Sequence, residues 1–401
     1  MPTTLGLSLL ALASHAAGSE DWAAVVGGAA DTQLQKRLEA DARMIPGTDT
    51  KYLIGGYLQV DGLATRRKQT GDAQGTFLVS ATPFGPADSG SQLSVRQSQL
   101  NWLSYTPTAL GSIETRADAN LFATNLDGSA TPTLQQLYVK IADRLVVGKA
   151  YSTFVDADAL PTTLDYNGPS GAMSVQQWLA RASIALGSGF TLAAAVEEAR
   201  ADASAGSGAL GIGTSARRPD FVARLRYGFD SGHLQVSGLS RRLAAKATIG
   251  ARTFEQTTDG RGVAASGSLA TVGDDSLDWQ AVTGKGIGRY FNDALSPTGV
   301  APGSDGRLDL VRTSGVTLYY QRQWAPEWMT NAGASTLWAG NDGTRPGGEL
   351  RRVTYASANL MHQPLPTLIV GAEALWGWAT RVDGATATNA RLQLTLRYLI
   401  L

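Results

Sequence analysis

Hydrophobic and polar positions alternate along most of this chain with a period of two. The clearest stretch is the last one, RLQLTLRYLIL, Arg391 to Leu401. Leu392, Leu394, Leu396, Tyr398 and Ile400 fall on one side. Arg391, Gln393, Thr395 and Arg397 fall on the other, followed by Leu399. Successive strand side chains point to opposite faces, so the pattern predicts a β-strand with an oily face and a cationic one. Taken alone, it reads as a half-buried strand of a soluble sandwich. A membrane barrel gives the same pattern inside out, with lipid on the apolar face and a watery lumen on the other.

The pattern recurs from Tyr52 onward. In DFVARLRYGF, Phe221, Ala223, Leu225, Tyr227 and Phe229 oppose Arg224 and Arg226. In SIETRADANLF, Ile113, Thr115, Ala117, Ala119 and Leu121 oppose Glu114, Arg116, Asp118 and Asn120. In QWLARASIAL, Trp178, Ala180, Ala182, Ile184 and Leu186 oppose Arg181. The connections discriminate between the two readings. Very short ones (Pro107 to Leu110, Ala142 to Arg144, Gly187 to Gly189, Asp230 to Gly232, Gly273 to Ser276, Pro326–Glu327, Pro364 to Pro366) alternate with long polar ones. The long ones are Lys68 to Ser91, Ser152 to Ser174, Ala201 to Arg217, Asn292 to Asp309 and Asn341 to Gly348. Tight periplasmic turns and long outer loops are the signature of an outer-membrane barrel, and seven tight turns imply about sixteen strands. The expectation is an all-β, about 16-stranded antiparallel transmembrane β-barrel spanning 51–401. Within it, 243–262 reads equally as strand ends or as loop. Trp102, Tyr105, Trp324, Trp328, Trp378 and Tyr398 fall near strand ends, as interfacial girdles do.

The N-terminus is different. Leu5 to Ala13 is a short apolar core, and Ser14–His15–Ala16 resembles a cleavage site, so residues 1–17 read as a signal peptide without its usual basic start. A buried N-terminal helix is the alternative. Residues 18–50 read as a periplasmic segment with a short helix over 31–43, capped by Asp31 and broken by IPGTDT.

Composition narrows the chemistry. There is no cysteine, so disulfide and thiolate chemistry is absent. Three histidines, His15, His233 and His362, lie far apart, which disfavours a zinc cluster. Lys plus Arg (34) balance Asp plus Glu (34), which argues against a nucleic-acid partner. GKGIGR at Gly284 to Arg289 lacks the spacing and the following helix of a nucleotide loop, and no hydrolase or metalloprotease motif occurs. No cofactor is expected.

Several stretches resemble the DcaP-like porin family, the outer-membrane porins associated with dicarboxylate uptake. They are IPGTDTKYLIGGYLQVD, VRQSQLNWLSYTPTALGSIETRADANLF, VVGKAYSTFVDADALPTTLDYNGPSGAM, GKGIGRYFND and YASANLMHQPLPTLIVGAEALWGWATRVDG. The third, with its Ser-Thr-Phe, Leu-Pro, Leu-Asp and Gly-Pro runs, is the most specific. The resemblance implies a sixteen-stranded barrel, usually a homotrimer in outer-membrane lipid, passing small anionic solutes. The chain departs from the family in Gln99 and Gln176, where basic residues are expected, in Lys149, where glutamine is expected, and in its final Leu401.

A porin needs a constriction: one long loop folds inward while charge on the wall sets the field. The constriction loop is expected at Ser152 to Met173, with Phe154, Asp156, Asp158 and Asp165 as its candidate residues. Asp156-x-Asp158 could hold calcium, although carboxylates facing the basic rows are the simpler reading. The pore-lining basic candidates are Arg116, Lys140, Lys149, Arg181, Arg224, Arg226, Arg391 and Arg397. Lys149 has the wrong parity unless Gly148 marks a bulge. The plainer view is that some of these cations pair with Glu114, Asp118 or Glu373 and merely brace the wall. Arg241 and Arg242 are adjacent, so only one can face inward. The sequence therefore predicts a passive anion-preferring channel. A plugged structural or adhesive barrel, a barrel enzyme and a secreted β protein are its rivals.

Overall fold

The computed structural model describes residues 42–69, 75–124, 130–200, 213–216, 218–249, 252–293, 300–302, 308–340 and 345–400. The expected signal peptide and nearly all of the expected helix lie outside them. Arg43 and Met44, at the end of that helix, are instead extended and pair with Tyr52 and Lys51.

Sixteen antiparallel staves form one closed barrel. They are β1 (Lys51–Thr65), β2 (Gly90–Ser94 and Gln99–Thr108), β3 (Gly111–Thr124), β4 (Ala130–Ile141), β5 (Leu145–Tyr151), β6 (Gln176–Gly187), β7 (Phe190–Glu197) and β8 (Gly213–Ala216 and Asp220–Phe229). The second half is β9 (Gly232–Ile249), β10 (Arg252–Ala270), β11 (Ser276–Lys285), β12 (Arg312–Ala325), β13 (Trp328–Ala339), β14 (Leu350–Leu365), β15 (Leu368–Arg381) and β16 (Thr386–Ile400). β1 pairs with β16 from Gly56↔Ile400 to Thr65↔Arg391, which leaves no free edge. The ambiguous 243–262 stretch is a tall hairpin of β9 and β10, paired from Gly232↔Leu269 up to Ile249↔Arg252. All seven tight turns fall between consecutive staves.

The period of two resolves as a barrel. On β16, Leu394 is 55% exposed and Arg397 only 2%. Leucines therefore face outward on a surface that suits lipid, and the polar side faces in. Trp324, Trp328, Trp378 and Tyr398 are exposed on the outside.

The interior is largely filled. The constriction loop, 152–175, crosses the lumen with segments 75–84 and 286–293. Phe154, Val155, Met173, Phe77, Val79, Ile287, Tyr290 and Phe291 join inward wall residues in one buried cluster. Two wall glycines make sockets for it. A Cβ on Gly371 would lie 2.8 Å from Leu164 Cδ1, and one on Gly262 would lie 3.1 Å from Phe154 Cζ. The loop packs this closely only because those wall positions carry no side chain.

Candidate functional site

Carboxylates hold the constriction loop to the wall. At its start, Glu197 on β7 accepts from Ser152 Oγ (2.6 Å) and the Thr153 N–H (2.7 Å). Further along, Asp156 lies 2.9 Å from His233 Nε2 and accepts from Ser266 Oγ at 2.7 Å. Arg226 reaches both Asp156 (3.4 Å) and Asp158 (2.6 Å). Burial acts to raise the Asp156 carboxyl, but His233 and Arg226 outweigh it and hold Asp156 below the usual carboxylate range. Across the barrel, Glu373 Oε2 on β15 accepts the backbone N–H groups of Leu164 (2.9 Å) and Asp165 (2.7 Å).

Asp165 in turn accepts the N–H groups of Phe77 (2.9 Å) and Gly168 (3.1 Å). Burial pushes its carboxyl up to about 6, against the opposing pull of Arg391. Asp293 ties the third inner segment to the other two through the Ser80 N–H (3.0 Å), Ser80 Oγ and Ser170 Oγ (3.0 Å). The inner segments therefore form one braced plug, since each anchor leaves few buried polar groups unpaired.

The expected basic residues separate into distinct groups. Arg116 pairs with Asp118 at 2.7 Å, and Lys140 pairs with Glu114 at 2.7 Å and Asp143 at 3.3 Å. Both braces were among the pairings the sequence allowed. Glu373, also offered as a partner for an arginine, grips loop backbone instead. Arg391 donates to Thr65 Oγ1 (2.9 Å), and Arg397 donates to Gln59 Oε1 (2.6 Å) with its guanidinium 4.3 Å from the Tyr57 ring centre. Arg226 belongs to the loop anchor, and Arg241 is buried against the Gly286 carbonyl (2.6 Å) while Arg242 is exposed.

Arg181 and Arg224 differ from the rest. They lie on the inward faces of β6 and β8, with Ala193 and Ala195 of β7 between them. Arg181 donates to the Tyr151 carbonyl at 3.4 Å. Among the described residues no carboxylate forms an ion pair with either guanidinium.

Lys149 does not line the pore. It pairs with Leu137 on β4 and Trp178 on β6, and both are exposed on the outer face. Gly148 has φ +139, yet the register runs through it without a slip, so the parity stays outward. The ammonium turns to the Leu134 carbonyl, as expected for a cation that must find an acceptor beside lipid.

An opening of 310 Å³ remains between the loop and the wall formed by β1 to β4. Its loop side includes Pro161, Thr163, Asp165, Tyr166 and Asn167, and its wall side includes Gln97, Gln99, Asn101, Arg116, Asp118 and Arg397. Gln97 enters through the break in β2, where Ser98 Oγ bonds the Gln59 N–H at 3.0 Å in place of the regular ladder. From there it donates to Asp61 (3.1 Å) and to the Leu164 carbonyl (3.0 Å). The sequence does carry a signal for this break: the outward apolar positions switch from Leu93 and Val95 to Leu100 and Trp102 across the polar run Arg96 to Gln99.

The fold agrees with the comparisons. The outer membrane channel DcaP of Acinetobacter baumannii is 15% identical, superposes with a TM-score of 0.78, and covers 89% of this chain and 99% of its own. The anion-selective porin from Comamonas acidovorans is 11% identical with a TM-score of 0.54, over 88% of this chain and all (100%) of its own. Outer-membrane expressed OmpT of Vibrio cholerae is 12% identical with a TM-score of 0.54, over 89% and 100%. At these identities the likeness is one of fold. No curated protein matches the chain in sequence. The family model described as a porin subfamily matches residues 44–398, nearly the whole barrel, and the chain belongs to that family of bacterial outer-membrane porins.

Proposed function

We propose that this porin is a passive diffusion channel that favours small anions, carboxylates and dicarboxylates among them, and that it catalyses no reaction. The observation that carries the anion preference is the state of its inner charges. Six inner carboxylates are taken up by anchoring: Glu197, Asp156, Asp158, Asp165, Glu373 and Asp293 each hold a guanidinium or loop donors. Arg181 and Arg224 have no such partner among the described residues. Two guanidiniums outside any ion pair, with Asp156 and Asp158 acting on Arg224 only through space, favour a positive field in a low-dielectric lumen and suit the two-oxygen geometry of a carboxylate. The comparisons add support, because the Comamonas acidovorans porin is described as anion-selective. A trimer form is described for OmpT of Vibrio cholerae, and a homotrimer in outer-membrane lipid is our reading for this chain too.

The test is the zero-current potential of the purified protein in a planar bilayer under a potassium chloride gradient. Anion preference that falls in an Arg181→Ala/Arg224→Ala variant supports the reading; cation preference in the parent protein overturns it. One observation favours a second reading, a non-conducting structural barrel: three inner segments fill much of the lumen. Absence of current from a heat-modifiable barrel would select it.

A further inference from the structure

The opening between the constriction loop and the β1–β4 wall has a chemistry unlike that of the arginine wall. Its charged groups are already satisfied locally. Asp118 receives Arg116 Nε (2.7 Å), Asn101 Nδ2 (2.6 Å) and Gln136 Nε2 (2.9 Å). Arg397 lies over the Tyr57 ring with its Nε on Gln59, and Asp165 is bonded to loop N–H groups. Arg116 pairs directly with Asp118, and Arg397 and Asp165 line the same cavity. Two cations and two carboxylates leave the lining with no formal net charge, so the opening presents little net field.

What remains for a solute is neutral. Gln99 and Gln135 line the cavity, and among the described residues neither side-chain amide has a hydrogen-bond partner. An amide offers a donor and an acceptor together, which matches hydroxyl groups and discriminates weakly between charges. Tyr166 stands on the loop side, fixed by Asn120 Nδ2 at 2.7 Å and by stacking on Phe122 at 3.9 Å. One face of its ring is therefore covered, and the residue, still 37% exposed, lines the cavity. A rigid aromatic face beside free amides suits the C–H face and the hydroxyl rim of a sugar ring.

We propose that this opening is a binding subsite for a neutral, hydroxyl-rich solute of sugar size, seated on Tyr166 and hydrogen-bonded by Gln99 and Gln135. It goes beyond the anion reading: the arginine wall acts on ions through its field, whereas this subsite acts by contact. Its volume of 310 Å³ sits at the lower end of small-molecule pockets, which run from roughly 300 to 1,000 Å³.

Isothermal titration of the detergent-solubilised full chain with sucrose, and separately with succinate, tests it without requiring conduction. Sucrose is expected to bind to the parent protein. A Gln99→Ala/Gln135→Ala variant is expected to bind it about tenfold more weakly, through two lost hydrogen bonds, and Tyr166→Ala to weaken it as well. Gln99→Arg is expected to shift preference toward succinate. Heat-modifiable migration checks that each variant folds, and the Gln99→Arg comparison stands if the alanine variant fails. Absence of sucrose binding to the parent, or affinity unchanged in every folded variant, overturns the proposal. The anion reading fails separately, by a zero-current potential that shows cation preference.

Discussion

Arg226 reaches Asp158 of the constriction loop at 2.6 Å, so the guanidinium spans from the β8 wall to the loop. From the sequence, Arg224 and Arg226 look equivalent, two cations on one polar face. The structure gives them different work. Arg226→Ala is expected to loosen the loop, seen as noisier and larger single-channel current. Arg181→Ala/Arg224→Ala is expected to lower anion preference with the loop still in place. Planar-bilayer recordings read both effects, and the same change in both variants would contradict this division.

Glu373 should be a structural keystone. It accepts two loop N–H groups and is fully buried. Glu373→Ala strands both donors at a cost of about 1–3 kcal/mol each if no water replaces the carboxylate. The expected result is a lower unfolding temperature on heat-modifiability gels and a more open channel.

The Asp165 carboxyl, pushed up to about 6 by burial, gives a pH dependence. Its folded value lies above its ordinary 3.8, so the folded state holds the proton more tightly. The stability tied to this group is full below about pH 4 and falls as pH rises through about 6. Below that value the opening also loses one negative charge, so anion preference should be stronger at pH 5 than at pH 7. Zero-current potentials at the two pH values check the sign, and Asp165→Asn should abolish the difference.

Lys149→Leu should leave ion selectivity unchanged, because the side chain faces outward beside Leu137 and Trp178. A lysine on the lipid face costs about 2–4 kcal/mol at the midplane and little near the interface. The variant is therefore expected to be as stable as the parent or more so, as judged by the temperature of heat modification.

The sequence by itself determined the barrel. A period of two, repeated between tight turns and long loops, is local information, and β16 carries it in full: leucines out, Arg391, Gln393, Thr395 and Arg397 in. It also located the loop that folds inward, with Phe154, Asp156 and Asp165 all buried. Only the tertiary structure decided which inward charges are left to act on a solute. Asp61 accepts from Thr395 at 2.7 Å across the closing seam, and Glu373 meets Asp165 from the opposite wall. Such contacts depend on the stagger between staves and on the path of an irregular loop, and alternation encodes neither. Parity could say that Arg116, Arg181, Arg224 and Arg226 face the lumen. It also allowed the Arg116–Asp118 pair, two residues apart on one strand, but it could not say that Asp156 and Asp158 take up Arg226, because that depends on the path of the loop across the closed barrel.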